Sequence, residues 1–411
     1  MKMKIFERKL YLQILSELNE RQFVILLGAR QTGKSTILKQ IGTFLDAKNE
    51  KNTMLSLEDF SILSKLDEHP DNLFLFVPKP QGDEKIVVLI DEIQYLQNPT
   101  NFLKLLYDKY SENLKIVATG SSAFYINTKF KDSLAGRKQL FELSTLSFDE
   151  FLLFKTGTNK LSIELDEIRK NENYLSSRRK EIAVYLDEYL IYGGYPAVVL
   201  AETHEKKISI LKELLLSFTK RDIEEANIQF PDKFYRLMML LAEQTGNLLN
   251  TNELSTTIGL STTSVNNYLY ILQKCFHIRL LKPFFKNLRK ELSKMPKIYF
   301  NDLGMRNILL GQFQIIETRL DKGELLENFL FLRLNELYST DNLRYWRTSA
   351  SNEVDFVISQ GNENSFAIEC KFNVTNFNSK RYSIFTENYP QIPLSARSYS
   401  SEKNKHWIAA I

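Results

Sequence analysis

Cysteine is scarce in this chain of 411 residues: Cys275 and Cys370 are its two, both inside apolar segments. That excludes a disulfide framework and argues against a zinc site. Long apolar runs are missing too. Nothing is long enough to span a bilayer, and the opening MKMKIFERKLYLQIL lacks the continuous apolar core of a secretory signal. The expectation is a cytoplasmic protein with no membrane partner. A strong excess of one charge is also absent. A formal net charge of +4 is too mild at this length to imply nucleic-acid binding, so only local clusters bear on that question. Internal repeats and low-complexity segments do not occur.

The 43% hydrophobic and 25% charged residues are those of a soluble globular protein, and the length exceeds one ordinary core. Two or three domains are expected. Residues 1–22 read as an amphipathic helix. From Phe23 five short apolar runs, FVILLGA, TMLSLED, KIVVLID, LKIVATG and QLFELSTL, are separated by helical stretches. Such alternation predicts an α/β fold, a parallel sheet with helices on both faces. From about Ser147 to residue 245 the pattern is helical, broken at YGGYPAVV, where paired glycines and a proline force a turn.

The segment GARQTGKST follows the strand FVILL and precedes a helix. It fits G-x-x-x-x-G-K-[ST] through Gly28, Gly33, Lys34 and Ser35. Glycines let the backbone wrap so that its N–H groups face phosphates, and the helix N-terminus adds a favourable dipole. ATP is therefore expected on Gly28, Ala29, Arg30, Gln31, Thr32, Gly33, Lys34, Ser35 and Thr36. Lys34 reaches the β- and γ-phosphates, and the Ser35 hydroxyl ligates Mg²⁺. A second element, KIVVLIDEIQYL, ends a buried strand in Asp91 and Glu92. Asp91 would hold the Mg²⁺ shell and Glu92 would polarise the attacking water, which makes hydrolysis the expectation. The strand LKIVATG leads through Thr119 to Ser121 and Ser122. Ser121 there either senses the γ-phosphate or caps the next helix. Arg137, in LAGR, either completes a neighbouring subunit's site or pairs with a surface acid.

The ordered set GARQTGKST, LIDEIQ, ATGSSA, LAGR and YGGYP, continued by TKRDI, PKIYFNDLG and GELLENF, resembles a family of bacterial and archaeal AAA-superfamily ATPases. The C-terminal half of that family is a domain of unknown function. The resemblance implies an AAA-type P-loop NTPase domain over 1–146 and a helical lid or linker over 147–245. It further implies a winged-helix domain over 246–310 and an α+β restriction-endonuclease-like domain over 311–411. A homo-oligomer with shared sites is implied as well, with Arg137 or Arg221 acting in trans.

NTNELSTTIGLSTTSVNNYLYILQK fits a helix-turn-helix. Asn250 and Ser261 serve as caps, Gly259 makes the turn, and Leu254, Ile258, Val265, Leu269 and Leu272 form the buried stripe. Its second helix exposes Ser264, Asn266, Asn267, Tyr270 and Gln273, with Lys274 its one basic residue. Arg279, Lys282, Lys286, Arg289, Lys290, Lys294 and Lys297 come next against a single acid, Glu291. That excess suits phosphate contact with a nucleic acid, DNA foremost, more than base reading, although a charge run is also what a solvated face looks like.

In FAIECKFN, residues 366–373, an alternating strand carries Glu369 and Lys371 on one face with Ala367. The strand EVDFVIS upstream brings Asp355 beside them through a hairpin, and Glu327 interrupts the apolar helix LLENFLF. An acid on a helix, an Asp on one strand and E-x-K on the next match the restriction-endonuclease-like superfamily. Asp355 and Glu369 would hold Mg²⁺ or Mn²⁺ against a scissile phosphate, and Lys371 would orient the attacking water. Phe372 stands where such nucleases often have a small polar residue. Folds outlive functions, so a rival is kept: a nucleotide-controlled switch or scaffold whose nuclease-like domain is inactive and binds a partner. In it Arg221 and Asp222 are internal latches. Trp346 reads as core.

Overall fold

Phe23, Val24, Ile25, Leu26 and Leu27 leave no polar position, so the strand they form has to be covered on both faces. The computed structural model describes residues 6–82, 84–120, 134–284, 294–359 and 365–411, and within them all side chains but those at 219, 221, 222 and 225. The chain forms two compact units. One comprises Met1–Ser144 with Lys274–Phe276, the other Thr145–Gln273 with His277–Ile411.

In the first unit, strands β1 (Phe23–Leu27), β2 (Asn52–Ser56), β3 (Ile86–Asp91), β4 (Leu114–Gly120) and β5 (Lys138–Glu142) make the expected parallel sheet, in the order β2-β3-β4-β1-β5. Helices α1 (Lys9–Glu17), α2 (Lys34–Ala47), α3 (Phe60–Glu68) and α4 (Pro99–Tyr110) cover it. Alternation sorts the side chains: Phe23, Ile25 and Leu27 join a core with Phe102 and Leu106 of α4, while Val24 and Leu26 join Ile37, Leu38 and Ile41 of α2. β1, β3 and β4 are buried at every position, and Leu27 pairs with Gly120. Their carboxyl ends thus finish side by side, the edge where open α/β sheets take ligands.

The second unit begins with helices α5 (Phe148–Thr156), α6 (Lys160–Lys170), α7 (Arg179–Tyr192), α8 (His204–Glu225) and α9 (Pro231–Glu243). Next come α10 (Thr251–Ile258), α11 (Thr262–Lys274) and the antiparallel pair β6 (Ile278–Leu281) and β7 (Lys297–Phe300). After α12 (Leu303–Leu310) and the long α13 (Lys322–Tyr338) come β8 (Leu343–Arg347), β9 (Glu353–Ile358), β10 (Phe366–Lys371), α14 (Ser383–Asn388) and β11 (Leu394–Ser398). The sheet order is β11-β10-β9-β8, with β10 parallel to β11 and antiparallel to β9. Apart from Lys274–Phe276, residues 147–411 belong to this unit. Phe148, Phe151 and Leu186 share a core with Tyr299, Phe329, Phe356 and Ile368.

The helix-turn-helix details come out as the residues predict. The Asn250 side chain accepts from the N–H groups of Asn252 and Glu253 at 3.2 and 3.3 Å, Gly259 has φ +68°, and Ser261 caps at Ser264. Leu254, Ile258, Val265, Leu269 and Leu272 are buried. The run from 279 to 297 differs from expectation. The Tyr345 N–H donates to Lys282 O at 3.1 Å and the Phe284 N–H to Tyr345 O at 2.6 Å, so the segment after β6 is pinned to β8. Arg279 is half-buried against Asn301 and Thr340, and Lys297 is 1% exposed. Neither is displayed for a phosphate backbone, whereas Lys282 and Lys294 are exposed; Lys286, Arg289, Lys290 and Glu291 lie outside the described residues.

YGGYP and NDLG, far apart in sequence, interlock. Asp302 accepts from the Gly194 N–H at 2.8 Å and caps α12 through Met305 at 2.9 Å. A Cβ at Gly304 would lie 2.0 Å from Tyr192 O, and one at Gly193, where φ is +73°, 2.3 Å from Asp302 Oδ1. Glycine is required at both positions.

Candidate functional sites

At the end of β1 the chain turns into α2 through residues 28–33. Gln31 at φ +58° and Gly33 at φ +103° set the turn's shape, and Gly33 caps the helix. Gly28 has a second reason to be glycine: a Cβ there would stand 2.2 Å from the Leu143 carbonyl oxygen. Lys34 is buried, its Nζ donating to Gly28 O at 3.0 Å and Ala29 O at 2.8 Å. Burial pulls its pKa down to about 8; Arg30 adds to that fall, and the charges of Glu92 and Asp91 oppose it. The lysine therefore lies within electrostatic reach of both acids expected at the site.

Asp91 closes β3, and the Thr119 hydroxyl on neighbouring β4 donates to its Oδ1. The same hydroxyl accepts from the Glu92 N–H at 3.1 Å. Glu92 turns out of the strand at φ +60°, ψ +51°, and Gln94 donates to its Oε2. A serine hydroxyl at the start of α2 and a carboxylate at the end of β3 are the hard oxygen donors that Mg²⁺ takes, so Ser35 and Asp91 fit that ion. In the sequence Thr119 stands out only as the residue two before Ser121. Its signal is a polar side chain in a wholly buried strand, which obliges a partner. Ser121 and Ser122 lie outside the described residues.

Two further placements matter. The Arg8 guanidinium donates to Thr32 O at 2.9 Å and Ser144 O at 3.0 Å, tying the loop to the chain just beyond β5. Arg137 lies at the other edge of the sheet: β5 runs parallel to β1 with Lys138 beside Phe23 and Glu142 beside Leu27. Its Nε donates to Asp108 Oδ1 at 2.7 Å. Arg221 lies on α8, its side chain outside those described.

In the second unit the period of two brings the hairpin acids together. The Cys370 N–H donates to Asp355 Oδ2 at 2.8 Å and the Asp355 N–H to Glu369 Oε2 at 3.3 Å. Lys371 Nζ lies 2.5 Å from Glu369 Oε1, and Tyr382 hydrogen-bonds Glu369. β10 lies between β9 and β11, and Glu369 on it is 5% exposed. Burial raises the Glu369 pKa, helped by the Asp355 charge and opposed by Lys371. Trp346 is core, edge-on to Phe385 at 5.2 Å.

Glu327 reaches the same place, and a residue that the sequence puts in a basic run meets it there. Lys297 Nζ, from β7, lies 2.8 Å from Glu327 Oε1 and 3.7 Å from Asp355 Oδ1, and pairs with Glu353 Oε1. The Tyr299 hydroxyl donates to Glu327 Oε1 at 2.6 Å. Burial works against the Lys297 charge, but Glu327, Asp355 and Glu353 outweigh it and hold the pKa above the ordinary lysine range. Of the two acids expected to hold a metal, Asp355 thus has the Lys297 ammonium 3.7 Å away and Glu369 has that of Lys371 at 2.5 Å. Among the described residues no group of three or more His, Cys, Asp or Glu is arranged to hold a metal ion.

Comparison with known proteins bears on both units. Residues 20–152 match the family model of an AAA domain, 184–315 a domain of unknown function (DUF8612) and 322–409 another (DUF4143). An uncharacterized protein of Haemophilus influenzae is 26% identical over 370 residues, 87% of this chain and 85% of that one. The uncharacterized protein MJ1637 of Methanocaldococcus jannaschii is 26% identical over 332 residues, 76% of this chain and 67% of its own. Among solved structures, the RuvB Holliday junction branch migration motor of Thermotoga maritima overlays at a TM-score of 0.33 and 14% identity, covering 70% of this chain and 95% of that one. A likeness that slight says nothing about activity. No helix among the described residues is long and apolar enough to cross a membrane. With its parallel five-stranded sheet and phosphate-binding loop, the chain carries an AAA-type ATPase-like domain followed by a C-terminal domain of unknown function.

Proposed function

We propose that the first unit binds ATP with Mg²⁺ and hydrolyses it. The observation that carries this reading is Lys34, a buried ammonium on the phosphate loop within electrostatic reach of Asp91 and Glu92. On binding, Lys34 exchanges two carbonyls for the β- and γ-phosphates, while the loop's N–H groups and the α2 N-terminus receive the remaining negative charge. Ser35 and Asp91 would hold Mg²⁺, which when bound would neutralise phosphate charge. Glu92 orients the attacking water and accepts its proton, its carboxylate steadied by Gln94 and its backbone by Thr119. The test is an ATPase assay beside an ATP-binding measurement. Lys34→Ala is expected to lose both. Glu92→Gln is expected to keep binding while turnover falls about 10²- to 10⁴-fold. Turnover unchanged in Glu92→Gln would sink the assignment.

The second unit is proposed as the output: a nucleic-acid-binding module, for DNA first, with a winged-helix part and an endonuclease-like part. Support comes from the helix-turn-helix pair α10–α11, the exposed Asn266, Asn267 and Tyr270, and Lys282 and Lys294 beside them in sequence. Assembly into a homo-oligomer with Arg137 or Arg221 in trans, and a cytoplasmic location, belong to the same proposal and rest on the sequence resemblance. A second reading is favoured by Lys297: a nucleotide-controlled switch whose nuclease-like domain does not cut and engages a partner instead.

A further inference from the structure

Strand β7 sends one side chain into the carboxylate cluster, and the geometry there is that of a filled cation site. Lys297 Nζ has Glu327, Glu353 and Asp355 oxygens within 4 Å, the Glu327 contact at 2.8 Å and the Asp355 contact at 3.7 Å. The facing charges are also accounted for. Glu353 takes Arg347 on its other oxygen at 2.6 Å, Glu369 takes Lys371, and Tyr299 donates to Glu327. The Tyr345 ring closes the site 5.7 Å from the ammonium. Lys297 itself is 1% exposed, and β7 is held by its pairing with β6 and by the Leu248 bridge.

A divalent ion bound to these carboxylates would need oxygens at about 2.0–2.6 Å. It would sit within a few ångströms of the ammonium, where two buried cations repel strongly. The lysine and the ion therefore compete for the same oxygens. We propose that Lys297 is a tethered counter-cation which replaces the divalent metal of the nuclease-like cluster, so that in the native chain Glu327, Glu353, Asp355 and Glu369 hold no metal. Glu327 and Asp355, which looked catalytic in sequence, serve with Glu353 to lock β7 onto the β8–β11 sheet. The inference rests on the nuclease-like reading only for where a metal would sit. It is independent of ATP hydrolysis and of DNA binding.

The test is Mn²⁺ binding by the full-length, nucleotide-free chain, read by electron paramagnetic resonance of the free ion. Every protein carries Ser35→Ala to silence the phosphate loop, and circular dichroism checks the fold. Wild-type residues at the cluster are expected to show no site sensitive to Asp355→Asn. Lys297→Met is expected to gain one, at least about tenfold tighter than any background and removed again by Asp355→Asn. Because Lys297→Met leaves buried charge uncompensated, Lys297→Met/Glu327→Gln runs beside it, removing one charge of each sign and keeping three carboxylates. A site that depends on Asp355 in the presence of Lys297 overturns the proposal, and so does a folded double variant that gains nothing. Mn²⁺ is read directly, so failure to cut DNA or to hydrolyse ATP does not bear on the result.

Discussion

Lys34 waits for phosphate in an unfavourable place. Burial lowers its pKa to about 8, so above that pH much of the free protein carries a neutral amine where ATP needs a cation. The unfolded chain keeps its lysine protonated to about 10.4, so it holds the extra proton between about pH 8 and 10.4. This group's contribution to stability therefore rises with pH across that window. ATP affinity runs the other way. Between about pH 7.5 and 9.5 the dissociation constant is expected to rise, with net proton uptake on binding, seen as a calorimetric enthalpy that depends on the buffer's ionisation heat. A constant affinity without proton uptake would mean that Lys34 stays charged throughout. The buried ammonium of Lys297 behaves oppositely because three carboxylates surround it, so exposure alone predicts neither lysine. Neighbours decide.

Among the elements, the contact of α7 with α12 has the smallest tolerance. Tyr192 O lies 2.0 Å from where a Gly304 Cβ would be, and a main-chain carbonyl cannot turn aside as a side chain can. Gly304→Ala is expected to cost about 1–3 kcal/mol in thermal or denaturant unfolding while leaving ATP affinity as it was. An unchanged midpoint would show that the two helices part easily. YGGYP and NDLG, read from sequence as a turn and as part of a resemblance, are thus two halves of a lock. What the sequence made legible was local. Gly28 to Ser35 lie within one turn, Asp91 and Glu92 end one strand, and Asp355, Glu369 and Lys371 share one hairpin whose period of two pairs them. What stayed hidden was long-range. Lys297 sits in a basic run, and nothing near it in sequence announces Glu327 and Asp355 as partners. Thr119 and Arg8 are found only through groups on other elements, Asp91 for one, Thr32 and Ser144 for the other.

At the scale of the molecule, the chain divides into two compact units, and the phosphate loop belongs to the first. Only the unit with the phosphate loop gains stability from mass action, by about 2.7 kcal/mol at a ligand concentration of roughly one hundred times Kd. Calorimetric scans with and without MgATP are expected to show two transitions, one moving up and the other holding. Equal movement of both would mean that the units melt as one. Within the first unit, Arg8 has an effect that involves no phosphate. Its guanidinium holds Thr32 O, and the Leu143 carbonyl passes too close to Gly28 to leave room for a Cβ, so two contacts restrain the loop without any nucleotide. Ordering a free backbone costs roughly 1–2 kcal/mol per residue, and a slack loop would subtract that from every binding event. Here the entropy was lost once, at folding. Arg8→Ala, at an arginine that belongs to no phosphate motif, is therefore expected to weaken nucleotide affinity.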